Sequence, residues 1–134
     1  MTRRISGPVA VVFTAALIFV GSRSISAHHS FAAFDLTGEK VVEGSVKKVE
    51  WTNPHIWVYI NGPKQGGGSG TEVYAFEGMS PNFLARRGWT RTTLEDGMKV
   101  SIHYRPFKNG DPGGMFVSAK LPSGLTLTGG GAQQ

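Results

Sequence analysis

From Val41 to Leu127 the chain is a succession of short runs in which apolar residues recur at every second position, each run broken off by Gly, Pro, Asn or Asp. A repeat of two belongs to a strand with one face in a core and the other toward solvent. Turn residues at such short intervals predict a small all-β fold rather than helices packed on a sheet.

The first run is Val41–Trp51 (VVEGSVKKVEW), where Val42, Gly44 and Val46 share a face. At Lys47-Lys48 the alternation slips by one residue and resumes with Val49 and Trp51, which predicts a β-bulge that bends the strand. A second strand is expected over His55–Asn61 (HIWVYIN), with Ile56, Val58 and Ile60 on one face and His55, Trp57 and Tyr59 on the other. The Gly62–Gly70 segment reads as a flexible hairpin loop; its glycines lack the Lys and hydroxyl residue that follow in a phosphate-binding loop. Glu72–Met79 supplies a third strand. Ser80-Pro81 is then a helix start, with serine as cap and proline in the first helical position, and Gly88 is the expected stop. Met98–Phe107 and Phe116–Leu121 supply strands four and five, with a hairpin-like extension through Leu125–Leu127. Three strands, a short helix and two more strands, the first strand bent, is the order of a five-stranded oligonucleotide/oligosaccharide-binding (OB) barrel. A flatter β-sandwich is the alternative. Closure is the physical reason to favour a barrel, because it removes the open edges of short strands.

Arg3-Arg4 followed by the apolar Val9–Val20 run and the small residues before His28 reads as a cleavable export signal over residues 1–27. The apolar run falls short of the roughly 20 residues of a membrane span, so no stable anchor is expected after cleavage. The expected organisation is a signal over 1–27, one domain over 28–128 and a disordered tail over 129–134. The formal charge is +5, but three of the 14 basic residues leave with the signal and no acidic residue does. What remains is close to balance, which argues against nucleic acid as a partner. There is no cysteine, so disulfides, thiolate metal sites and a cysteine nucleophile are excluded.

Chemistry concentrates in the histidines. Cutting after Ala27 makes His28 the first residue with His29 beside it, and His55 opens the second strand within Trp51-Thr52-Asn53-Pro54-His55. A free α-amine and neutral imidazoles are transition-metal ligands, and a thiolate-free set of this kind suits copper or zinc. Convergence of His28, His29 and His55, with Glu77 as an oxygen ligand, is therefore the candidate metal site. A solvated His pair and a strand-capping His55 form the plain alternative. His103, between Ile102 and Tyr104, points to the polar face and reads as a surface residue.

Trp51, Trp57, Tyr59, Tyr74 and Trp89 are candidates for a stacking platform for sugar rings or bases. The alternative is a second small core in which Phe83, Trp89, Phe31 and Phe34 cover Trp57 and Tyr59. No glycine-flanked nucleophilic serine, HExxH or close acid pair beyond Glu95-Asp96 is present, and an enzyme is not expected.

Ala27-His28-His29-Ser30-Phe31, Glu50-Trp51-Thr52-Asn53-Pro54-His55, Phe76-Glu77, Ser80-Pro81-Asn82 and Arg87-Gly88-Trp89 together resemble a family of small exported bacterial proteins known only as a domain of unknown function. The resemblance spans nearly all of the chain after the signal. It implies export and a single domain, and carries no activity. It places His28, His29, Asn53, His55, Glu77, Asn82, Arg87 and Trp89 on motif positions, which adds Asn53 and Arg87 to the candidate ligand-binding residues; His103 matches none. The resulting expectation is a periplasmic or secreted, non-enzymatic binding protein for a transition metal. An accessory module that binds a protein or glycan through its aromatic face is the rival.

Overall fold

A computed structural model describes residues 31–129, so the expected signal, His28, His29 and residues 130–134 lie outside the described part. Six strands and one helix follow in the order β1 (Lys40–Glu50), β2 (Trp57–Pro63), β3 (Thr71–Glu77), α1 (Pro81–Ala85), β4 (Lys99–Pro106), β5 (Gly113–Lys120) and β6 (Thr126–Thr128). Antiparallel pairing runs β3-β2-β1-β4-β5-β6, and a parallel β3–β5 pairing joins the two flanks. The five strands β1 to β5 thus close into a barrel, with β6 added outside the ring on β5.

The slip in β1 is a bulge. Val46 pairs with Ile60 and Lys48 with Tyr59, which leaves Lys47 as the extra residue. The bend lets one long strand serve two neighbours, β4 along Lys40–Ser45 and β2 along Ser45–Glu50. Gly44 sits where the strands come nearest: a Cβ there would lie 2.4 Å from the Asn61 carbonyl oxygen.

Closure depends on the start of β5, where Ala75 pairs with Gly113, Phe76 with Gly114 and Glu77 with Met115. Gly113 has φ 121°, and a Cβ on it would lie 1.9 Å from the Ala75 carbonyl oxygen, so only glycine fits this seam. The pattern of alternation places the start of β5 at Phe116; the strand begins three residues earlier because Gly113 and Gly114 pair without side chains to announce it.

Inside, Ile56, Val58, Ile60, Phe76, Leu84, Ile102 and Phe116 are completely buried. The Ser80 hydroxyl accepts from the Phe83 N–H at 3.3 Å and Pro81 opens α1, but the helix covers only five residues before Arg86 caps it. Its buried Leu84 joins the core, as does Trp89, whose ring meets Phe116 edge-on at 5.6 Å. Gly129, expected in the tail, is buried instead and donates its N–H to the Val117 carbonyl at 2.7 Å.

Candidate functional site

The turn between β1 and β2 carries the Trp-Thr-Asn-Pro-His segment, and two backbone bonds fix where it ends. The Ile56 N–H donates to the Met79 carbonyl at 3.1 Å, and the Gly78 N–H donates to the Ile56 carbonyl at 2.9 Å. These continue the β2–β3 ladder one step past the paired strands. Gly78 is needed for the approach, since a Cβ on it would lie 2.7 Å from Ile56 Cγ1. With Ile56 turned into the core, His55 must face outward, onto the side where Trp57 pairs with Glu77.

There His55 Nδ1 meets Glu77 Oε1 in a direct contact. The sequence separates these residues by 22 positions, and the β2–β3 hairpin brings them together. Their side chains are only 30% and 19% exposed, so water competes weakly for the contact. Two members of the expected metal set therefore adjoin. Among the described residues no three His, Asp or Glu side chains form a group able to hold a metal ion, and His28 and His29 lie outside those residues.

The same outer face continues along β2. Trp57 and Tyr59 stack at 6.4 Å between ring centroids with 25° between planes. Glu50 pairs with Trp57 from β1, opposite Glu77 on β3, so a carboxylate residue flanks the indole on each neighbouring strand. Lys48 Nζ lies 4.5 Å from the Tyr59 ring centroid and 2.6 Å from Glu50 Oε1, while the Tyr59 hydroxyl donates to Glu50 Oε2 at 3.4 Å. The hydrogen bond from Lys48 holds the Glu50 carboxyl below its usual range, and the same bond raises the Lys48 ammonium. Burial, followed by the Glu50 charge, pushes the Tyr59 hydroxyl up. Lys48 and Glu50 lie on this face although neither is among the expected ligand-binding residues; the phase slip at Lys47-Lys48 is the signal that puts them outside.

The remaining candidates separate. Tyr74 and Trp89 are core residues, 4% and 3% exposed, and leave the proposed platform; the Trp89 indole N–H is satisfied by the Thr128 carbonyl at 3.1 Å. Trp51 packs half-buried against the core, and its carbonyl accepts from Arg91 Nη1 at 3.3 Å. Asn53 is exposed in the turn. Arg87 is exposed, its guanidinium 3.6 Å from the centroid of the Phe83 ring on α1. Nor do arm residues join Trp89 in a second core over Trp57: Phe34 stacks on Phe107 at 5.3 Å instead, and Phe31 is exposed. His103 is exposed on β4, as expected. A groove of about 540 Å³ opens on a different part of the barrel, between Glu43 of β1, Lys99 of β4 and Lys120 of β5.

The chain belongs to a family of unknown function, DUF6152, whose model matches residues 16–117. No curated protein and no solved structure matches it.

Proposed function

We propose that this member of the DUF6152 family is an exported periplasmic protein that binds a transition metal, copper before zinc, without transforming a substrate. His28, His29 and His55 supply the ligands, with Glu77 alongside. The observation that carries the reading is the sheltered contact of His55 with Glu77, which holds one imidazole in a fixed place at the mouth of the β1–β2 turn.

The attachment of the N-terminal arm supports it. Phe34 bridges to Phe107, the Phe107 N–H donates to the Gly113 carbonyl, and Gly113 pairs with Ala75, two residues before Glu77 in β3. At about 4.8 Å per strand and 3.3 Å per residue, the path from Phe34 to Glu77 is roughly 20 Å. The turn closed by the Phe34 N–H on the Phe31 carbonyl keeps Phe31 beside Phe34. The three residues from Phe31 back to His28 can span up to about 10 Å, and imidazoles at both ends cover much of the rest. Export and cleavage after Ala27 would add the α-amine of His28 to this set.

Copper(II) titration of the mature protein tests the reading, with a His28→Ala/His29→Ala double variant beside it. The expected result is one equivalent bound by the parent and a loss of affinity of at least about tenfold in the variant. Equal affinity of the two proteins would end the proposal. The rival reading draws on the Trp57–Tyr59 stack, whose polar rim of Lys48 and Glu50 suits a glycan or an exported protein. It predicts partner capture that Trp57→Ala abolishes and that copper leaves unchanged.

A further inference from the structure

We infer that Glu77 is a positioning residue and not a metal ligand: it holds the Nδ1–H tautomer of His55, so that Nε2 is the atom left to bind metal. Its consequence for affinity rests on the metal reading above; the assignment of the tautomer does not.

The argument starts from proton inventory. An ionised carboxylate can only accept hydrogen bonds, whereas a neutral imidazole has one N–H and one lone pair. His55 Nδ1 is the atom in contact with Glu77 Oε1, so Nδ1 carries the hydrogen and the lone pair is on Nε2. A ligand atom on Nδ1 would have to displace the carboxylate. Glu77 therefore stands behind the imidazole as seen from a metal on Nε2, on the far side of the ring from the coordination sphere.

Three features keep this arrangement from being a passing surface contact. The pair is sheltered, with the carboxylate side chain 19% exposed. Glu77 is the last residue of β3 and pairs with Trp57, which fixes its Cα relative to β2. The Ile56–Met79 and Ile56–Gly78 backbone bonds fix the Cα of His55 from the other side. A carboxylate behind a ligating imidazole sets the ring's orientation and raises its basicity, and removing such a partner costs about 10- to 100-fold in metal affinity.

The test uses the mature protein, its Glu77→Ala and Glu77→Gln variants, and His55→Ala. Long-range ¹⁵N–¹H correlation spectra of the metal-free proteins, taken at a pH where His55 is neutral, report the tautomer directly. The parent is expected to show Nδ1–H with Nε2 unprotonated, and Glu77→Ala to lose that preference. Copper(II) titration is expected to weaken about 10- to 100-fold in Glu77→Ala and to recover most of the loss in Glu77→Gln, whose amide oxygen can accept the same N–H. A hydrogen on Nε2 in the parent would overturn the inference. So would a glutamine variant as weak as the alanine variant, which is the behaviour of a directly coordinating carboxylate. Copper affinity unchanged in His55→Ala would instead defeat the metal reading, while the parent's Nδ1–H signal would still uphold the tautomer assignment.

Discussion

Strand β2 shows two regions made from alternate residues of one segment. Its inner face, Val58 and Ile60 with Ile56 just before it, is completely buried. Its outer face, Trp57 and Tyr59 with His55 just before it, is half-buried and lined by Glu50, Glu77 and Lys48. Burial of aliphatic groups specifies the fold and leaves no freedom for chemistry. The outer residues have polar partners whose geometry matters more than their area, and so that face is where binding can be built. The lesson is that core packing and polar side-chain contacts are divided by side-chain parity, not by position along the chain.

The sharpest way to break that division is to delete apolar volume from each side. Ile60→Ala is expected to cost about 3 kcal/mol in urea unfolding, from lost burial and an unfilled cavity. A loss under about 1 kcal/mol would mean the inner face is not the structural one. The inner and outer faces should also separate in alkali. Burial, followed by the Glu72 charge, pushes the Tyr104 hydroxyl above its usual value. The native state therefore keeps a proton that the unfolded chain gives up near pH 10. Stability from this source is complete below pH 10 and declines as pH rises toward the folded-state value. Tyr104→Phe is expected to flatten this alkaline decline more than Tyr59→Phe does; equal effects in pH-dependent melting would contradict the difference in burial.

On the outer face, Trp57→Ala is expected to cost about 1 kcal/mol, mostly the stack on Tyr59. It should leave copper affinity within about twofold, since His55 and Glu77 are held by backbone bonds. A larger stability loss would show that Trp57 belongs to the core after all. Smallest of all, Lys48→Ala should leave the melting temperature unchanged, because its partner Glu50 and the ammonium are both well exposed. A measurable shift would mark the Lys48–Glu50–Tyr59 group as structural.

How far the sequence foretells this depends on whether a residue lies within a periodic run. The parity of Ile56–Ile60 and the bulge at Lys47 are legible because alternation, and its slip, is a local signal. The barrel order follows from the succession of elements. The β3–β5 seam is much less legible, because Gly113 and Gly114 pair through backbone alone and present no side-chain pattern. Trp89 misleads for a related reason: it follows α1 outside any strand, so no period tells whether its ring faces the core or solvent. The meeting of His55 and Glu77 depends on the β2–β3 register, which a glycine-rich connection without alternation conceals. Only the folded structure shows that the carboxylate reaches Nδ1.

Native mass spectrometry of the protein as isolated from expressing bacteria, after addition of one equivalent of copper(II), addresses the central claim most directly. The account predicts a single species whose mass is that of the chain beginning at His28 plus one copper ion. A protein that remains metal-free under these conditions would contradict it.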